Sequence, residues 1–213
     1  MERMEQMASL AADVLREELV NDVKEIMSSL EQKSQQITSE IASAVGTALR
    51  EAEHRQIAGE KGAVSYISFS ILQSYLMLDR LAFRVDAWDE RFMLDDNEAS
   101  SEWDFRTLVS CGGPDMDAVA KKVRETMIRV QDYELKELER AYRVNYFALA
   151  VEVLRAALPL SIDQIKRGSV ELTFLPLVFA PALGIRPAVA YAWKRRPPEI
   201  QMEALPAKPL VGL

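Results

Sequence analysis

The longest repeating pattern of apolar residues covers residues 7–52. These positions recur at helical spacing, and no proline interrupts them: Leu10, Val14, Val23, Ile26, Leu30, Ile37, Ile41, Ala44 and Ala48. The stripe is narrow and the polar residues 33–36 form a gap in it, which is typical of the seam between two long helices. The pattern predicts a first helix of roughly 70 Å, at about 1.5 Å per residue, that packs against a partner of similar length.

Two further long helices are predicted downstream. Residues 63–92 begin with an uncharged stretch that is too short to span a membrane, so we interpret them as the central helix of a bundle. A hydrophilic connection follows at 94–114. Pro114 and Asp115 then mark the start of a third helix, whose apolar positions continue to Leu158.

The end of the chain has a different pattern. Residues 159–213 contain repeated helix breakers: Pro159, Gly168, Pro176, Pro181, Gly184 and Pro187. The sequence therefore predicts an all-α fold, in which residues 1–158 form an elongated antiparallel bundle of three long helices. The proline-broken segment 159–213 is expected to pack on this bundle and to end in a proline-rich tail.

Charge and cysteine content narrow the class of protein. The net charge of -7 opposes binding to a phosphate backbone, so nucleic acid is not an expected partner. A single cysteine cannot close an intrachain disulfide, and the first residues lack the basic region and apolar run of a secretory signal. We therefore expect a cytoplasmic protein.

Five carboxylates are candidates for chemistry. Asp86, Asp89 and Glu90 lie together in the second predicted helix, while Glu134 and Glu152 follow the inward line of the third. One interpretation is a site for a hard cation such as Mg²⁺ together with a substrate phosphate. The other is structural: the first three would pair with nearby arginines, and Glu134 and Glu152 would either pair with an arginine of a neighbouring helix or lie at an edge of the stripe that turns to water. The structural interpretation is favoured, because ion pairs on helices are common.

Glu51 and His54 form a Glu-x-x-His pair, which helical di-metal sites use in two copies. The chain has one histidine, so it cannot build the symmetric site, and imidazole ligands usually occur in groups. We therefore predict no metal, no cofactor and no catalytic residue.

The leading hypothesis for function is a noncatalytic interaction or scaffold protein, because the chain is poor in catalytic side chains and the first stripe needs a partner. It predicts a homodimer formed through five residues of the first helix: Leu10, Val14, Val23, Ile26 and Leu30. The main alternative is a divalent-cation-dependent enzyme or ligand-binding bundle that uses the five carboxylates. A third hypothesis, less favoured, is contact with a lipid surface through residues 172–193, from Leu172 to Trp193.

Overall fold

The computed structural model describes residues 3–109, 114–162, 164–165, 175–181, 188–195 and 200–203, and only the backbone of the last three stretches. The chain contains both helices and strands. In order they are α1 (Arg3–Ile57), β1 (Tyr66–Ile71), α2 (Gln73–Met77), β2 (Ala82–Trp88), a 3₁₀ turn (Phe92–Leu94), β3 (Ser100–Asp104), α3 (Met116–Arg124), α4 (Asp132–Ile162), β4 (Leu175–Pro181), β5 (Ala188–Arg195) and β6 (Ile200–Glu203).

The strands form one mixed sheet in the order β3-β2-β1-β4-β5-β6. The first three strands are antiparallel, with Phe69 of β1 opposite Val85 of β2, and Phe83 of β2 opposite Trp103 of β3. β4 joins β1 in parallel, and β5 and β6 continue the sheet in antiparallel pairs. The fold is therefore α+β.

The prediction of an all-α bundle of three long helices is wrong, and the segment that misleads is 63–92. It contains β1, α2 and β2 instead of one helix. β1 reads Tyr-Ile-Ser-Phe-Ser-Ile, an alternating pattern rich in β-branched and aromatic residues. Its lack of charge reflects a central strand, because β2 and β4 flank β1 and Ser68 is buried along with Ile67 and Phe69.

The predicted third helix is two helices. α3 ends at Arg124 and α4 begins at Asp132. Between them Arg129 adopts φ 54°, a left-handed conformation that a right-handed helix cannot contain. The first helix does form over the predicted stretch, and runs without interruption from Arg3 to Ile57. The predicted domain boundary at residue 158 falls inside α4.

The chain divides into two compact units, to which α1 and α4 both contribute. The first contains residues 1–37, 74–81 and 105–154, and the second contains 38–73, 82–104 and 155–213. One core cluster of the first unit joins α1, α3, the turn after α3 and α4, and consists of Met7, Ala11, Val119, Ala120, Val123, Met127, Leu135 and Leu138. In the second unit Phe83 stacks on Trp103 at a ring distance of 5.8 Å, and Ser101 Oγ donates to the carbonyl of Ala44, which ties β3 to α1.

Candidate functional site

Glu51 and His54 line an open polar cavity of about 380 Å³ in the second unit. Its walls are Thr47, Arg50, Glu51, His54, Arg55, Glu98 and Ser100. Arg55 Nε donates to Glu51 Oε1 at 3.2 Å, so the carboxylate of the Glu-x-x-His pair is engaged by a cation already. Among the residues that the structure describes, no three His, Cys, Asp or Glu side chains are grouped to hold a metal ion.

Asp86 lies on β2, where it is buried and bound by an arginine. Arg84 Nε donates to Asp86 Oδ1 at 2.7 Å, and Arg84 Nη2 lies 3.0 Å from Glu98 Oε1. Burial raises the pKa of the Asp86 carboxyl, and the hydrogen bond from Arg84 offsets part of this rise. A carboxylate held in this way is one half of an ion pair, although it lies on a strand and not on the face of the predicted second helix.

Asp89 begins a stretch of ten residues, 89–98, which we call the acidic loop because it contains five acidic residues and one arginine. Arg91 clamps Asp89, with Nη2 at 2.8 Å and Nε at 3.1 Å from Oδ2. Burial acts to raise the pKa of Asp89, but the hydrogen bonds from the side chain and backbone of Arg91 outweigh it and lower the pKa. Glu90 is exposed in the same loop.

A buried ion pair closes the acidic loop. The Lys61 ammonium donates to Asp95, both side chains are fully buried, and Lys61 Nζ also donates to the carbonyl of Asn97 at 2.7 Å. Asp95 accepts three further bonds, from the backbone N–H groups of Asp89 and Asn97, each at 3.0 Å, and from Arg91 Nη2 at 3.4 Å. Both ends of the loop are thus tied to one carboxylate.

The tip of the acidic loop is strained and apolar. Phe92 has φ 53°, and such a conformation costs a bulky residue about 1–3 kcal/mol unless its surroundings enforce it. Its ring makes edge contacts with Tyr66 at 5.2 Å and Trp88 at 5.9 Å. The next two side chains stand in solvent, Met93 with 61% and Leu94 with 78% of its surface exposed. The sequence pattern does not predict this arrangement, because a phenylalanine with positive φ cannot be recognised from the residues around it.

Glu134 lies at the start of α4 and binds Arg3 of α1. The guanidinium donates to the carboxylate, which also accepts from the backbone N–H of Gln131 at 2.8 Å. These bonds, that of Arg3 first, lower the pKa of Glu134. The partner of Glu134 is therefore an arginine of another helix of the same unit.

Arg3 also holds the turn between α3 and α4. Its Nη2 donates to the carbonyls of Ile128 at 3.3 Å and Arg129 at 3.1 Å. Ile128 is 80% exposed, and Tyr133, five positions later, is 72% exposed. We call residues 121–136 the basic turn, because five basic residues outnumber three acidic ones there.

Glu152 does not join Glu134. It is exposed on the same helix, 18 positions further on, which corresponds to a separation of roughly 27 Å along the helix axis. Asp86, Asp89 and Glu90 belong to the second unit, and Glu134 and Glu152 to the first. Three of the five carboxylates, Asp86, Asp89 and Glu134, have an arginine as their nearest described cation.

A buried carboxylate that the sequence reasoning missed is Asp22. It accepts the hydroxyl groups of Tyr142 and Tyr146 of α4, each at 2.6 Å and both on Oδ2. Burial, and then the hydrogen bond to Asp22, raise the pKa of Tyr142. The signal in the sequence is weak, because Asp22 is a polar residue beside the apolar stripe and its partners are 120 or more positions away. Its geometry is that of a structural anchor between α1 and α4.

The five residues of the predicted self-association surface divide into three groups. Leu10 and Val14 pack against the apolar cluster of the first unit, and Ile26 is buried. Val23 and Leu30 are half-buried. Beside them two apolar residues that the sequence reasoning did not single out are largely exposed, Val20 at 48% and Met27 at 58%.

The hypothesis of contact with a lipid surface concerns residues whose side chains the structure does not describe. Residues 172–193 include β4 and most of β5, but their side chains lie outside the described part of the chain. In the described part, one helix, Asp132–Ser161, is long and apolar enough to cross a bilayer by length and composition alone. In its most apolar window 44% is buried, and Tyr146 and Leu154 are among its buried residues.

Comparison of the chain with protein-family models, with curated proteins and with solved structures finds no match.

Proposed function

We propose that this chain is a noncatalytic, cytoplasmic interaction protein that self-associates through the middle of α1. The contact surface, called the α1 patch, consists of Val20, Val23, Met27 and Leu30. The observation that carries the proposal is the exposure of Val20 and Met27, two apolar side chains seven positions apart on one side of the helix. Apolar side chains in a row of this kind favour association with a similar surface.

The geometry of the patch suits a symmetric dimer. At 100° per residue, Val20, Val23, Met27 and Leu30 lie within a sector of about 80° and span roughly 15 Å of helix. Two copies of one straight row can pair about a two-fold axis, which is the commonest symmetry of soluble oligomers. Exposed polar residues follow the patch at 31, 32 and 34–36, so the apolar contact ends there.

The noncatalytic part of the proposal is supported by the state of the carboxylates. Asp86, Asp89 and Glu134 are all bound by arginine side chains, so a cation would have to displace a guanidinium to reach them. The competing hypothesis of a divalent-cation-dependent enzyme has no comparable observation in its favour. It would gain support if Mg²⁺ raised the melting temperature of the wild type and Asp86→Ala abolished that effect.

The test of self-association is a pair of substitutions on the exposed part of the patch. Val20→Asp with Met27→Asp places two like charges in the contact, and the mass measured by light scattering should fall below that of the wild type while the circular dichroism is unchanged. Changing Val23 and Ile26 instead would be ambiguous, because Ile26 is buried and a charge there would unfold the chain.

The matched control is Ile57→Asp with Leu160→Asp, which makes the same chemical change at two exposed residues outside the patch. This variant should keep the mass of the wild type in light scattering. The proposal is refuted by a wild type that is monomeric at all accessible concentrations, or by a patch variant with the same mass as the wild type.

A further inference from the structure

We infer that copies of this chain also associate head to tail, with the acidic loop of one molecule bound to the basic turn of a second. The inference goes beyond the proposed function, because it uses neither the α1 patch nor a two-fold axis. The contact is between two molecules and requires no particular placement of one unit beside the other within a chain.

The apolar parts of the two surfaces match in size. Met93 and Leu94 project from the loop, and Ile128 and Tyr133 from the turn, each with more than half of its surface exposed. Large apolar side chains left in water at the tip of a turn gain free energy when they are buried together. A flexible methionine against a tyrosine ring is a favourable pairing of this kind.

The net charges of the two surfaces are opposite. The exposed acidic residues of the loop, Glu90, Asp96 and Glu98, outnumber its exposed Arg91, which is paired with Asp89. The exposed basic residues of the turn outnumber its exposed Glu125 and Asp132, of which Asp132 is paired with Arg124; they are Lys121, Lys122, Arg124, Arg129 and Lys136. Opposite charges around an apolar contact speed its formation and fix its orientation, whereas pairing of two acidic loops or two basic turns would bring like charges together. The charge pattern therefore selects the loop–turn pairing, and it disfavours an anionic lipid surface as the partner of the loop.

Both surfaces are held in shape before they bind. The buried Lys61–Asp95 pair fixes the loop, and Arg3 fixes the turn through Glu134 and two carbonyls. Each surface contains a non-glycine residue with positive φ, Phe92 at 53° and Arg129 at 54°. Binding then costs little ordering entropy, which is how a small contact can still be specific.

A contact between two different surfaces leaves one of each surface unused in every dimer. Such an interface continues, and it yields open chains or closed rings of more than two molecules. The loop–turn contact is small, and protein interfaces below about 1,200 Å² belong to the transient class. We therefore expect weak association.

The experiment uses three proteins that all carry Val20→Asp and Met27→Asp, so that the α1 patch is disabled. The first has no other change. The loop variant adds Met93→Ser and Leu94→Ser, and the turn variant adds Ile128→Ser and Tyr133→Ser. Sedimentation velocity is measured over a concentration series up to roughly 100 μM, a range suited to weak interfaces.

The first protein should grow in mass with concentration, and the loop and turn variants should each stay monomeric. An equimolar mixture of the two variants should form a 1:1 dimer and nothing larger, because only one intact loop and one intact turn can meet. Raising the salt concentration should weaken both associations, since their charges are exposed.

Two results overturn the inference: a first protein that stays monomeric, or a mixture of the variants that does not associate. The control is Met77→Ser with Leu78→Ser, two exposed apolar residues outside both surfaces, which should leave the assembly unchanged. The α1 patch is tested by a different comparison, that of the wild type with the Val20→Asp, Met27→Asp protein. The loop and turn variants do not test it, so failure of the α1 patch is distinguishable from failure of this inference.

Discussion

The acidic loop and the basic turn each contain one non-glycine residue in the left-handed region, but their surroundings differ. In the loop the strained residue is Phe92, its ring packs on Tyr66 and Trp88, and the supporting pair, Lys61 with Asp95, is fully buried. In the turn the strained residue is the exposed Arg129, and the supporting Arg3 is 44% exposed. The same backbone conformation is therefore held by packing and a buried charge pair in one place, and by hydrogen bonds near water in the other.

The largest effect should follow from breaking the buried pair. Lys61→Met leaves Asp95 charged and buried, and loss of one partner of such a pair costs about 3–5 kcal/mol. We expect the lower end of that range, because Arg91 Nη2 and the N–H groups of Asp89 and Asn97 still reach the Asp95 carboxylate. Urea unfolding followed by circular dichroism measures the loss.

The double variant Lys61→Met, Asp95→Leu is the control, since it removes both charges. It should recover a large part of the stability that the single variant loses. A double variant that is less stable than Lys61→Met alone would show that the pair is needed for the shape of the loop and not only for charge balance.

The second largest effect is expected at the loop tip. Phe92→Ala removes the ring but keeps the strained backbone, and should cost about 2–3 kcal/mol, less than a fully buried phenylalanine. Phe92→Gly should be the more stable of the two by about 1 kcal/mol, because glycine tolerates positive φ. Equal stability of the two variants in urea unfolding would mean that the left-handed conformation is not strained.

A smaller loss should follow from Glu134→Gln, which removes the carboxylate that binds Arg3 at the partly exposed end of the turn. The pKa of Glu134 is lowered in the folded state, so its stabilisation is present above the unfolded value of about 4.3 and is lost as the pH falls through the folded value. Urea midpoints of the wild type and the variant should therefore differ at pH 7 and converge in acid. A difference that is constant from neutral to acidic pH would contradict the role of the charge.

The smallest effect should be seen at Arg129. Arg129→Gly relieves the left-handed strain and loses no packed side chain. The added flexibility of the unfolded chain offsets part of this gain, so the variant should be more stable than the wild type by about 0.5 kcal/mol. Compared with Arg129→Ala, the gain should be about 1 kcal/mol, the same difference as between Gly and Ala at Phe92. A clear difference between the two positions would show that the loop and the turn do not carry the same backbone strain.

The candidate site was predictable in its parts and not in its arrangement. The pairing of Glu134 with an arginine of another helix follows from residue type. Asp86 and Asp89 bind arginines two positions away, on a strand and in a loop, a spacing that would not pair side chains on the predicted helix. The contact of Lys61 with Asp95, 34 positions away, does not follow from the sequence either. Lys61 lies in a glycine-rich turn, and nothing in the neighbouring sequence indicates that it is buried. Only the path of the surrounding loop removes its side chain from water.

The sequence by itself determined the first helix. An apolar stripe at helical spacing without proline is enough for a continuous α1, because helix hydrogen bonds join residues four apart. Only the tertiary structure decided that residues 66–71 are a strand, because its neighbour β4 begins more than 100 positions later and sheet hydrogen bonds depend on such distant partners. The tertiary structure likewise decided the positive φ of Phe92 and Arg129, because contacts with residues outside each turn stabilise a backbone conformation that these two residue types disfavour.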